Sequence, residues 1–203
     1  MEPCKRSSPA APRRLDRSPR AAGAIDKILA GAVQAIIERG AGKVSMLDVG
    51  AAAGVSRGTL YRYFATKEKL LEAVTQHLLS QYDDRIAAAT ATHVEAGARL
   101  GALFDFVGAH LEGGLPHRFL EVEPHFALGF YRRNFPRFLA RTETTLAPVF
   151  DEWERMTGKT VDRTLLAELA VRYTLSDLLV PTGASFGHLR DRLMALLAEA
   201  KDR

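Results

Sequence analysis

The 203-residue chain has a formal net charge of +4, with 47% hydrophobic and 26% charged residues. That is the balance of an ordinary globular protein whose core needs no covalent staples. Its single cysteine, Cys4, excludes an intramolecular disulfide and a cysteine-rich zinc site, and fits a reducing cytoplasm. No apolar run approaches the roughly 20 residues needed to span a bilayer and no signal-like stretch follows Met1, so the sequence predicts a soluble cytoplasmic protein with no membrane partner.

Residues 1–20 hold Lys5, Arg6, Arg13, Arg14, Arg17 and Arg20 against Glu2 and Asp16. This tail alone accounts for the whole positive excess. With Pro3, Pro9, Pro12 and Pro19 and no apolar periodicity, it is expected to be a disordered basic tail. Three uses stay open for it: a transit peptide, a flexible arm tracking DNA phosphates, or a solvated tail with no duty of its own.

From Ala21 onward the pattern is helical. Ile25, Ile28, Leu29, Val33, Ile36 and Ile37 mark one face, and Gly40 and Gly42 stop it. Ser45 opens a short helix with Asp48 as its capping-box partner, and Val49 and Ala53 carry the apolar face to Gly54. Ser56 caps a second short helix with Leu60 and Phe64 turned inward, and Thr66 starts a longer one through Leu70, Leu71, Val74 and Leu78 to about residue 89. Two short helices joined at a glycine and backed by a preceding helix form a helix-turn-helix, with Gly54 free to take positive φ and Val55 filling the angle.

The second short helix is the one such a motif inserts into the major groove, N-terminus first. Arg57, Gly58 and Thr59 therefore lead. Arg57 suits a guanine edge or a phosphate, Thr59 suits a base or a thymine methyl, and Gly58 lets the backbone approach closely. Tyr61, Arg62 and Tyr63 face outward as phosphate donors, and Lys67 sits at the positive end of the next helix.

These residues read AGVSRGTLYRYFATKEKLL, and residues 24–71 thereby resemble the DNA-binding domain of the TetR family of bacterial transcriptional regulators, whose pattern is AGVSxGTLYxYFxxKExLL. The resemblance implies that Ser45, Tyr61, Tyr63 and Lys67 contact phosphates, while Arg57 and Thr59 lie in the groove and Arg62 stays between the two roles. Two positions depart from the family: Leu47, where many members place a polar or basic residue, and Gly50, where alanine is usual and glycine costs roughly 1 kcal/mol of helix propensity. The resemblance further implies an all-α architecture, with a helix-turn-helix domain at 21–72 and a helical effector-binding and dimerisation domain at 73–203. It implies a non-enzymatic repressor of operator DNA, without a cofactor, whose affinity a small, largely apolar effector lowers.

Beyond about residue 90 the helical patterns are punctuated by Gly113-Gly114, Pro116, Pro124, Pro136, Pro148, Gly158 and Pro181. Eight of the ten phenylalanines lie between Phe104 and Phe150, so this half holds the aromatic core. Phe104, Val107, Leu111, Phe126, Phe130, Phe138 and Trp153 are the expected walls of an effector pocket, with His110, Glu121, His125, Arg172 and Asp177 as polar groups that could orient the ligand. Residues 161–180 are apolar on nearly every side, and Phe186, Leu189, Leu193 and Leu196 stripe a last helix. These two helices are the expected homodimer interface. His117, Glu121 and His125 are spaced i, i+4, i+8 as metal ligands on one helix face would be. Pro124 interrupts that face and no fourth ligand is evident, so no metal is expected. Two rival readings are control by a partner protein without a ligand, and a metal-dependent hydrolase built on that trio.

Overall fold

Serine, threonine and aspartate caps set where several of the helices begin. The computed structural model describes residues 19–112, 114–180, 191, 192 and 195, and among the described residues every regular element is an α-helix. The helices are α1 (Pro19–Arg39), α2 (Met46–Ala53), α3 (Arg57–Tyr63), α4 (Lys67–Ala91), α5 (Ala96–Leu111), α6 (Leu115–Val122), α7 (Pro124–Thr157) and α8 (Arg163–Leu179). The expectations for the tail before Pro19 and for the stripe of Phe186, Leu189, Leu193 and Leu196 lie outside the described residues.

The first four helices follow the local code closely. Helix α1 ends at Arg39, and Gly40 turns the chain with φ 86° while its N–H bonds the Ile36 carbonyl at 2.8 Å. Ser45 and Asp48 close a reciprocal capping box at the start of α2, and Gly54 ends that helix at φ 62°. Ser56 caps α3 by accepting from the Thr59 N–H, and Thr66 caps α4 by accepting from Lys69. Ile28, Ile36, Leu60, Leu70 and Val74 are fully buried or nearly so and form the centre of this region. Gly31 lets α1 and α2 cross closely: a Cβ built there would lie 2.5 Å from the Ala53 backbone nitrogen.

That core is not closed by α1–α4 alone. Phe119 of α6 and Ala127 of α7 are buried in the same cluster as Ile28, Ile36 and Leu70. A second cluster gathers Ile86, Leu100, Leu103, Val107, Leu146, Val149 and Phe150 from α4, α5 and α7. Helices α4 and α7 both run through the two clusters and so join the two halves. Asp83 of α4 is clasped by two arginines of α7: Arg137 Nη2 at 2.6 Å and Arg141 Nε at 3.1 Å.

One expectation is corrected. Pro136 and Pro148, read as breaks between helices, lie inside the 34-residue α7. Each removes a backbone donor and disfavours a helix interior by about 3 kcal/mol. Burial of Ala127, Thr145, Leu146, Val149 and Phe150 along the helix holds it continuous. Pro124, by contrast, does separate α6 from α7, with Glu123 between them at φ −140° and ψ 64°.

Candidate nucleic-acid interface and ligand cavity

Helix α3 presents one buried side and one exposed side. Leu60 is completely buried and Phe64 buried, while Arg57, Gly58, Tyr61 and Arg62 are exposed and Thr59 and Tyr63 half-buried. The N-terminal turn of α3 is fixed by Ser56, whose Oγ accepts from the Thr59 N–H at 3.1 Å and lies 2.9 Å from Thr59 Oγ1. The Arg57 guanidinium lies over the Tyr61 ring, 5.3 Å from its centroid, and that of Arg62 lies 4.9 Å over Tyr63 and donates to its hydroxyl at 3.1 Å. Each arginine thus arrives at the surface already backed by an aromatic face. Gly58 has no positive φ, and a Cβ there would meet nothing nearer than Ser56 Oγ at 3.9 Å. The fold itself therefore gives no reason for glycine at this exposed helical position.

Two groups expected to hold phosphates are also engaged inside the protein. The Ser45 hydroxyl donates to Asp48 Oδ2 at 2.7 Å and accepts from the Asp48 N–H at 3.2 Å. This capping, with Arg39 3.3 Å away, holds the Asp48 carboxyl below the usual range. The Ser45 donor is thereby committed to the cap. Lys67 Nζ donates to the Gly42 carbonyl at 2.9 Å, tying the start of α4 to the α1–α2 turn while two further N–H donors remain on the ammonium. Leu47, the departure on α2, is 74% exposed and shares a shallow hollow with Arg57.

A cavity of about 820 Å³ lies among α4, α5, α6, α7 and α8, within the size range of sites for drug-sized ligands. Of the sequence candidates it brings together Phe104, Val107, His110, Leu111, Phe126, Phe130, Phe138 and Arg172. Four others stand elsewhere. Glu121 is exposed on α6 and pairs with His117 at 3.3 Å. His125 is exposed at the start of α7, past the Pro124 break, so the i, i+4, i+8 spacing does not lie on one helix. Trp153 is half-buried near the C-terminal end of α7, and Asp177 is half-buried on α8 without facing the cavity. Among the described residues no cluster of three metal-ligating side chains occurs.

The cavity also has walls that the sequence reading missed: Leu79, Tyr82, Arg85 and Ile86 on α4, Leu115, Pro116 and Phe119 on α6, and Tyr131 on α7. Tyr82, His110 and Phe106 form an aromatic knot, with Tyr82 5.1 Å from His110 and the rings of Phe106 and His110 nearly parallel at 5.9 Å. Burial, reinforced by the neighbouring Arg85, pushes the His110 pKa down to about 4, so its ring is neutral at physiological pH. Burial likewise pushes the Tyr82 phenol up to about 12, and raises that of Tyr131.

Comparison with known proteins bears on both features. The model of the tetR family of bacterial regulatory proteins matches residues 28–74. A curated HTH-type transcriptional regulator of Bacillus subtilis, YvdT, itself uncharacterised, is 39% identical over 64 residues, 32% of this chain and 33% of its own length. The chain therefore matches about a third of that relative. Solved structures extend the likeness to the whole fold. The fatty acid degradation regulator FadR of Bacillus halodurans superposes with a TM-score of 0.63 at 19% identity, over 90% of this chain and 96% of that one. FadR of Bacillus subtilis, solved in complex with stearoyl-CoA, gives a TM-score of 0.60 at 17% identity, over 85% and 96%.

Proposed function

We propose that this chain, whose residues 28–74 match the model of the tetR family of bacterial regulatory proteins, is a homodimeric repressor that grips operator DNA with α3 and releases it when a largely apolar effector fills the cavity. The observation that carries the DNA-binding part is the exposed leading edge of α3. There the exposed Arg57 and Gly58 and the half-buried Thr59 lead the helix, away from the buried Leu60 and Phe64, which suits a recognition helix whose N-terminal residues meet base edges. Tyr61, Tyr63 and Lys67 flank that edge and grip the backbone, Ser45 contributes its place at the N-terminus of α2, and Arg62 serves whichever surface its Tyr63 platform meets.

The second copy is needed for geometry. Two recognition helices must stand about 34–36 Å apart to enter successive major grooves on one face of DNA. Helix α8 supports this reading. It buries Ala167, Val171 and Leu178 against its own chain, yet leaves Leu165, Leu169 and Leu179, with Val180 at its C-cap, at least half exposed, 50–65%. Such a face is stabilised by covering it, and a twin α8 across a two-fold axis is self-complementary.

The coupling runs through α6. Its Leu115, Pro116 and Phe119 line the cavity, while Phe119 also belongs to the core beneath α1 and α4. Just beyond it, Glu123 packs on the turn after α1: a Cβ at Gly40 would fall 1.9 Å from Glu123 Oε1. An effector that favours a different seating of α6 therefore acts on α1 and α4, hence on the spacing of the two α3 helices. It lowers DNA affinity only by its differential affinity for the two arrangements. The stearoyl-CoA bound by the Bacillus subtilis FadR supports a long apolar chain as the first effector to try. The test is a mobility-shift titration with selected operator DNA, to which long-chain amphiphiles are added. Release of DNA at saturating ligand, together with a raised melting temperature, is expected. DNA binding that no ligand of the cavity alters would leave a regulator without this effector mechanism.

A further inference from the structure

The cavity wall is electrically one-sided. Among the described residues that line it there are two guanidiniums, Arg85 and Arg172, and no carboxylate. Arg172 is already neutralised, with its Nη2 2.6 Å from Glu168 and its guanidinium over the Phe135 ring. Arg85 is not. None of the ion pairs among the described residues involves it, and its guanidinium lies 5.6 Å over the Phe106 ring at the edge of the cavity. Exposed at the rim of a mostly apolar space, and without a hydrogen bond to protein among the described residues, Arg85 offers the planar fork that binds carboxylate or phosphate oxygens.

Its surroundings are arranged around that charge. Gln81, one helical turn before Arg85 on α4, lines the same cavity, as do Tyr82 and His110. The Phe106–His110 stack places the His110 imidazole, a further hydrogen-bonding group, beside the guanidinium. Away from this edge the walls are Leu103, Val107, Phe119, Phe126 and Phe130, which offer an alkyl chain no polar partner and exclude water from it.

We propose that the cavity takes an anionic amphiphile, with its head group held by Arg85 and its apolar tail running inward toward α6. The proposal rests on the effector reading above and narrows it to a chemical class. The tail is what reaches Phe119 and shifts α6; the head sets which molecules are admitted. Free carboxylates and the phosphates of a thioester conjugate both supply the anion, and the test separates them.

The test is isothermal titration of the full chain with hexadecanoate, hexadecanoyl-CoA and hexadecanol, each also scored for release of bound DNA. At least one of the two charged ligands should bind about tenfold or more tightly than the neutral alcohol, as expected for a charge-assisted hydrogen-bonded pair. The charged ligand that binds more tightly identifies carboxylate or phosphate as the head. Arg85→Gln should abolish the charged-over-neutral preference while hexadecanol still binds, which also reports a folded cavity; Arg85→Lys should restore part of it. Equal binding of hexadecanol and both charged ligands, or a preference that survives in Arg85→Gln, overturns the anion site and leaves the apolar effector standing. If none of the three binds, the effector reading and this proposal fall together.

Discussion

Gly58→Ala separates what the fold needs from what the DNA needs. Position 58 is the second residue of α3, it is exposed, and an added Cβ would find its nearest atom, Ser56 Oγ, at 3.9 Å. The methyl group meets no steric resistance in the free protein. Alanine in a helix is favoured over glycine by about 0.5–1 kcal/mol, largely because glycine leaves more freedom to the unfolded chain. For a chain of this size that corresponds to a rise of about 1–4 °C in melting temperature. In the proposed complex the same methyl would project from the leading turn of α3, where the backbone would approach base edges. Overpacking at a close-fitted contact costs about 1–3 kcal/mol, which is roughly a 5- to 150-fold loss of affinity. A thermal melt and a mobility-shift titration on the same preparation read both numbers. A variant that is more stable and binds operator more weakly is expected. A variant that binds operator as well as the parent would refute the claim that α3 approaches DNA through its N-terminal turn.

Other substitutions test neighbouring parts of the account. Lys67→Ala should weaken binding to every DNA sequence alike and lower the slope of log affinity against log salt by about one; it also removes the bond to the Gly42 carbonyl, so the α1–α2 turn should exchange its amide hydrogens faster. Gly31→Ala should destabilise the fold by about 1–3 kcal/mol in a urea titration, because its methyl would sit 2.5 Å from a backbone nitrogen of α2. His110 gives a pH signature. Its pKa lies near 4 in the folded chain and about 6.5 unfolded. The unfolded state therefore takes up the proton first, and stability falls as pH drops from 6.5 toward 4. His110→Gln should flatten that part of the urea-midpoint profile, while a profile unchanged by the substitution would contradict the burial of a neutral imidazole.

The helix-turn-helix was legible because its determinants are local. Ser45 with Asp48, Ser56 with the Thr59 amide, and Gly54 at positive φ lie within a few residues of one another, and Leu60 and Phe64 mark the inward face at helical spacing. Gly31 carried a signal that went unread, a glycine in mid-helix between Ile28 and Val33 on the most apolar face of α1. The cavity was only partly legible. Aromatic density between Phe104 and Phe138 pointed toward it. Whether a given aromatic faces it depends on the rotation of α7, and a continuous helix through Pro136 and Pro148 is decided by packing that no local pattern encodes. Trp153, one of the largest side chains available, lies too near the end of that helix to reach. Arg85 was invisible as a ligand group, because on α4 it reads as one more surface charge. Only the packing of α5 beside it brings Phe106 and His110 to its guanidinium.

The central claim is sequence-specific DNA binding by a two-fold pair of α3 helices, and selection of bound sequences from random double-stranded DNA by the purified full chain tests it most directly. The account predicts enrichment of an inverted repeat whose half-sites lie about one helical turn apart, or a multiple of it, centre to centre, with that enrichment weakened in Arg57→Ala. A pool that shows no enriched sequence would contradict it.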